Sequence, residues 1–176
     1  ILQAALELIA EQGFQYTPMS LIAKRAHVSA GIIYHYFTGK DDVIQALYRR
    51  VKAELSAAVF AADDVHLPLR ARFPALWIGA FHYCVAHPHE TMFLQQYESS
   101  PAWHDTVMFD EEMALFRLLD EYQAQGLLKD VPFMVLCEMT LGIAMKLASG
   151  VYNKALSLDD AALAATVGAC WDAIAR

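Results

Sequence analysis

The sequence predicts an all-α chain of two unequal helical domains, and three features carry that expectation. Apolar residues recur at i, i+3 and i+4 along most of the 176 residues, and the long C-terminal part shows no strand-like alternation, internal repeat or low-complexity tract. Helix start and stop residues, among them Gly13, Pro18, Ser29, Gly126 and either Ser157 or Asp159, punctuate that pattern. Within residues 17–40, two short helical stretches flank a tight break at His27 and Val28, the outline of a helix-turn-helix. The domains are expected over residues 1–51 and 52–176.

The first helix, over residues 1–12, places Leu2, Ala5, Leu6 and Ile9 on one face to cover the back of the helix-turn-helix, and Gly13 ends it. Thr17 followed by Pro18 reads as N-cap and first-turn proline of the second helix. Ile22, Ala26 and Val28 are its apolar positions and those of the turn, and Ala23 is small enough for two helices to cross closely. Ser29 is the expected N-cap of the third helix. There Ile33, Tyr36 and Phe37 are expected on the inner face, leaving Ala30, Gly31, Tyr34 and His35 outward. A glycine, a tyrosine and a histidine on one exposed face let the backbone approach a surface and offer it hydrogen-bonding groups. The run at residues 38–42 opens a fourth helix, with Thr38 or Gly39 as cap and Asp41 and Asp42 in its first turn. Its first amides, together with Lys40, form an expected anion site. This helix continues through Val43, Ile44, Leu47, Tyr48, Val51 and Leu55 until residues 62–68 end it.

Five helices are expected in the second domain, over residues 69–86, 90–97, 105–125, 132–152 and 158–174. Residues 131–151 are apolar on nearly every side and long enough to span a bilayer. Glu138, Lys146, Gly142 and Gly150 within that stretch weigh against a lipid-embedded helix. Such a helix must be covered all round. One face is expected on the domain's own core and another on a second copy of the chain, beside Ala161, Ala165, Val167, Gly168 and Trp171 of the last helix.

Composition fits a large core, an oligomer face or an apolar cavity: 57% of residues are hydrophobic and mean hydropathy is +0.29. The net charge of −7 is unevenly placed. Residues 1–52 carry six basic and four acidic groups, and the remainder seven basic and sixteen acidic, so any polyanion contact belongs at the N-terminal end. Cys84, Cys137 and Cys170 form no CxxC pair and read as reduced thiols of a cytoplasmic protein. The chain opens at Ile1 inside a helical pattern, so further residues upstream are expected.

The stretches AALELIAEQGF at 4–14, Thr17, Ile22, Ala23, AHVSAGIIYHYF at 26–37, and Lys40 with Asp41 resemble the DNA-binding domain of the TetR family of transcriptional regulators. Three positions depart from the family's habit. His27 stands where a turn glycine is usual, Ala30 where lysine, arginine or glutamine is frequent, and Ile32 where threonine is common. The resemblance implies a DNA-binding helix-turn-helix domain followed by a helical ligand-binding and dimerisation domain. It further implies a homodimer on a pseudo-palindromic double-stranded DNA operator, acting as a repressor released by a small hydrophobic or aromatic effector. The DNA contacts it implies are Thr17, Ser20, Ser29, Ala30, Gly31, Tyr34, His35 and Lys40, with Ser29, Tyr34 and Lys40 on phosphates and His35 on a base edge.

In the second domain, large apolar side chains edged by Gln96, Tyr97 and Lys146 suit either a core or a pocket for a greasy ligand. The family's ligand site lies among these helices, so a pocket is expected between Trp77, Phe81, Phe93, Tyr97, Trp103, Phe109, Met139 and Ile143. No GxSxG, GxGxxG, HExxH or P-loop is present, and no cofactor, metal or membrane partner is expected. His87, His89 and Glu90 read as an interhelical turn. Two rivals remain: a helical small-molecule sensor without sequence-specific DNA affinity, kept alive by Ala30 and Ile32, and a helical enzyme, disfavoured by the lack of paired catalytic groups.

Overall fold

A computed structural model describes the backbone of residues 1–100 and 110–176, and the side chains of residues 1–100 and 114–176. Its contacts form two compact units: Ile1–Lys52 with the segment that opens at His89, and Ala53–Pro88 with the described residues from Asp110 onward.

In the first unit, α1 (Leu2–Gln12) buries Ala4, Ala5, Leu6, Leu8 and Ile9. Gly13 ends it at φ 82°, a left-handed conformation that glycine adopts without strain, and its N–H returns to the Ile9 carbonyl at 2.8 Å. α2 (Met19–Arg25) buries Ile22 and Ala23. Thr17, expected as its N-cap, lies one residue too early: Pro18 occupies the cap position without a side-chain hydrogen bond, and the Thr17 hydroxyl turns back to donate to the Gly13 carbonyl at 2.9 Å. α3 (Ala30–Tyr36) is followed by α4 (Lys40–Phe60), whose Val43, Ile44, Leu47, Tyr48 and Val51 fill the middle of this unit. α6 (Pro88–Glu98) completes it, with the Phe93 ring tilted against Phe14 at 5.6 Å and Tyr97 against Tyr48 at 4.6 Å.

Arg25, at the end of α2, reaches back to α1. Its guanidinium donates to both Glu11 carboxylate oxygens, at 3.0 and 2.8 Å, and to Glu7 at 3.4 Å. The hydrogen bond from Arg25 holds the Glu11 carboxyl below its ordinary value. Because the folded value is the lower one, this contribution is complete above the unfolded value and fades as pH falls through the depressed one. We expect Glu11→Gln to lower stability slightly at pH 7 and by progressively less as the pH falls below the ordinary glutamate range, as thermal melts across that range will show.

The second unit contains the remainder of α4, α5 (Leu69–Ala86), α7 (Asp110–Ala124), α8 (Phe133–Cys137), a π-helical turn (Glu138–Gly142), α9 (Ile143–Tyr152) and α10 (Asp160–Ile174). α4 and α5 cross closely at Gly79, where a Cβ would lie 2.4 Å from the Ala58 carbonyl oxygen. The uninterrupted helix expected over residues 132–152 carries the π turn at its centre. There the Thr140 hydroxyl donates to the Leu136 carbonyl at 2.7 Å, and the buried Trp77 indole donates to the Thr140 carbonyl at 3.1 Å. A wide turn frees backbone carbonyls, and these two side chains satisfy them. α10 starts at Asp159, whose carboxylate accepts from the Ala162 N–H at 2.8 Å. Its last carbonyls, of Asp172 and Ala173, accept from the Lys129 ammonium at 2.9 and 2.8 Å.

Candidate nucleic-acid interface

The turn between α2 and α3 depends on His27, which adopts φ 55°. Histidine tolerates this left-handed geometry better than most side chains. It lets the Val28 N–H close on the Ala23 carbonyl at 3.0 Å. Ser29 then caps α3 as expected, its hydroxyl oxygen accepting from the Ile32 N–H at 3.3 Å. Only Ile33 of α3 is fully buried, so this seven-residue helix presents most of its surface outward.

Ser29, Ala30, Gly31, Tyr34 and His35 are all exposed, with Tyr34 58% accessible. Among the described residues nothing requires a glycine at position 31, since an added Cβ would meet only Ser29 Oγ, at 3.9 Å. Ser20 is exposed on α2, beside the turn.

Three expectations are corrected. Tyr36 belongs to the outer face rather than the inner one: it is 68% exposed and its ring meets His35 edge-on at 5.1 Å. It sits about 60° around the helix from Ile33, so a short helix can bury Ile33 while leaving Tyr36 in water. The Thr17 hydroxyl is fully buried on Gly13, which removes it from any surface a phosphate could reach. Lys40 is half-buried and its ammonium donates to the Phe14 carbonyl. At the same helix start, Asp42 accepts from the Thr38 N–H at 2.9 Å and the Thr38 hydroxyl at 3.3 Å, so the anion site expected there is occupied by the chain's own carboxylate. Tyr36 is the surface residue that the apolar spacing hid, and Ile32, which the spacing assigned to neither face, is 46% exposed.

Of the eight residues expected around one pocket, the described ones divide between the two units. Trp77 and Phe81 stack at 5.6 Å inside the second unit, where Met139 is half-buried. Phe93 and Tyr97 are core residues of the first unit, held by Phe14 and Tyr48. Ile143 faces outward at the start of α9. Trp103 and Phe109 lie outside the described residues. Among the described residues of the second unit, the buried Trp171 Nε1 has no hydrogen-bond partner; its ring packs edge-on against Phe73 at 5.3 Å.

α2, the His27 turn and α3 form a helix-turn-helix whose second helix is laid open to the outside. The family described as "Bacterial regulatory proteins, tetR family" matches residues 1–47, and "Tetracyclin repressor-like, C-terminal domain" matches residues 68–175. The chain belongs to the TetR family. A Haemophilus influenzae relative described as an uncharacterized HTH-type transcriptional regulator is 27% identical over 176 residues, covering 100% of this chain and 94% of that one. The crystal structure of a TetR-family transcriptional regulator from Haemophilus influenzae is 26% identical, with a TM-score of 0.79 over 99% of this chain and 94% of that chain. A TetR family transcription regulator from Marinobacter aquaeolei shares the fold at TM-score 0.85 and 22% identity, over 99% of this chain and 93% of that chain. The chain is thus an all-α transcriptional regulator of the TetR family, and the proteins it resembles are regulators rather than enzymes.

Proposed function

We propose that this TetR-family chain is a repressor that binds a pseudo-palindromic operator as a homodimer and is released by a small hydrophobic effector. The observation that carries the DNA half of this reading is the outward face of α3, where Ser29, Gly31, Tyr34, His35 and Tyr36 stand exposed behind a single buried anchor, Ile33. Inserted in the major groove, Gly31 allows the backbone to approach, His35 meets base edges, and the Ser29 and tyrosine hydroxyls hold phosphates. In a dimer, two such helices must stand about 34–36 Å apart, or that plus whole turns, to meet both half-sites.

Support for the dimer comes from Phe133–Tyr152, the one helix among the described residues long and apolar enough to cross a membrane, of which only 28% is buried within the chain. Met134, Val135 and Ile143 are exposed along it. A second copy of the same helix is the cover we assign to that face. The effector reading rests on the aromatic interior of the second unit, Trp77 with Phe81, and on the unpartnered Trp171 indole, which a ligand acceptor atom would satisfy. An effector that prefers the DNA-incompetent spacing by roughly 1–3 kcal/mol would shift operator affinity about 5- to 150-fold. The setting is the cytoplasm, where the operator is.

Gly31→Ala separates folding from DNA binding. With open space around position 31, alanine is expected to raise stability by roughly 0.5–1 kcal/mol through its helix propensity. The same methyl would stand between the helix and the groove floor and weaken operator binding at least tenfold. Urea denaturation and a salt-titrated gel shift on DNA from the source genome measure the two effects. Unchanged DNA affinity would remove α3 from the interface and favour a sensor that does not read DNA.

A further inference from the structure

We infer that this protein reads its operator chiefly through the C5-methyl groups of thymine, with Ile32 as the residue that contacts them. The inference rests on the operator-binding reading above and specifies what that surface recognises. Among exposed α3 residues there is no lysine, arginine, asparagine, glutamine, aspartate or glutamate: the outward set is Ala30, Gly31, Ile32, Tyr34, His35 and Tyr36. Bidentate recognition of guanine or adenine, which needs a guanidinium, ammonium or carboxamide, is therefore missing from this helix. Ser29 already spends a lone pair on the Ile32 N–H. Arg25, the nearest guanidinium in sequence, is tied to Glu11 and Glu7.

What the face does carry is an isoleucine 46% exposed to water. In the major groove the apolar feature that varies between base pairs is the thymine methyl, so an apolar side chain there distinguishes thymine from cytosine and from the purines. Ile32 is suited to that contact in two ways. Its β-branched side chain has a nearly fixed χ1 in a helix, so little freedom is lost on docking. Tyr36 lies at i+4 on the same flank, widening the apolar surface that a methyl would meet. Two like half-sites in a dimer would double the effect.

The test begins with selection of duplexes from a random-sequence library by the full chain, followed by replacement of each thymine in the selected operator with deoxyuracil. That exchange deletes only the methyl and keeps every hydrogen-bonding group. At one or two positions per half-site we expect a loss of roughly 4-fold for each methyl removed, and about 16-fold when both half-sites are changed. In Ile32→Ala, whose exposed site leaves the fold intact, the thymine and uracil operators should bind within about 2-fold of each other. Two results would overturn the inference: wild-type affinity indifferent to uracil at every position of an enriched operator, or an undiminished uracil penalty in Ile32→Ala. Failure to enrich any sequence would instead defeat the operator reading, and this inference with it.

Discussion

Asp63→Ala is expected to destabilise the protein by about 3–5 kcal/mol, because it strands a buried guanidinium. Asp63 lies in the connection between α4 and α5, and both its oxygens accept from Arg72 of α5, from Nε at 2.8 Å and from Nη2 at 2.7 Å. The two side chains are only 6% and 7% exposed, so this is a desolvated, two-pronged pair rather than a surface contact. The remaining Arg72 Nη1 donates to the Tyr122 hydroxyl of α7 at 3.2 Å, which joins the α4–α5 connection to a third helix. Bonding to Asp63 accordingly holds the Arg72 guanidinium proton more tightly than usual. Removal of the carboxylate leaves the charge behind without its partner, whereas replacing both members by apolar residues removes charge and partner together. The Asp63→Leu/Arg72→Met double variant is therefore expected to recover most of the loss. Chemical denaturation of wild type and the two variants measures this, and an Asp63→Ala loss below about 1 kcal/mol would show that water reaches the pair.

Elements set by local chemistry were the legible ones. Gly13 at φ 82°, His27 at φ 55° and Ser29 each solve a problem that lies within four residues of chain, so the residue type announces the geometry, while at the last helix residue type left Ser157 and Asp159 open and Asp159 is the cap. The start and end of α5 follow from Pro68 and the break at His87 in the same way. What stayed hidden depends on partners remote in sequence. The pairing of Phe93 and Tyr97 with Phe14 and Tyr48 in the first unit cannot be read from spacing, since an apolar stripe shows that a face is buried but not against what. Arg72 with Asp63 and Tyr122 reads as three ordinary polar residues until the helices meet. At the candidate interface the outward positions of Gly31, Tyr34 and His35 were legible from the period. Tyr36 was not, because in a helix of seven residues only the innermost position is fully covered. The Thr17 hydroxyl and the Lys40 ammonium suit a phosphate by type, yet both are turned to carbonyls of the chain itself.

Lys146→Glu is expected to break the proposed homodimer, and the reason is a symmetry written into Phe133–Tyr152. Glu138 and Lys146 stand four residues before and four residues after Gly142, and both are exposed. When two copies of a helix cross antiparallel about a two-fold axis, residues equally distant from the axis on opposite sides face each other. An axis at Gly142 sets Glu138 of each subunit opposite the other subunit's Lys146, about 6 Å along the helix from the crossing point. Glycine at the crossing lets the backbones approach; the nearest atoms that a Cβ would meet there belong to the flexible Glu138 side chain, at 2.5 Å. Lys146→Glu places two carboxylates together twice per dimer. Like-charge juxtaposition of this kind costs several kcal/mol, so the dissociation constant should rise by at least about 100-fold and carry full-palindrome DNA binding down with it. Exchanging the charges, Glu138→Lys with Lys146→Glu, restores opposite signs at both positions and should restore the dimer. Sedimentation velocity across the micromolar range distinguishes the outcomes. A wild-type chain that sediments as a monomer removes the dimer itself, whereas a dimer indifferent to Lys146→Glu, or a double variant that stays monomeric, places the contact elsewhere than at this crossing.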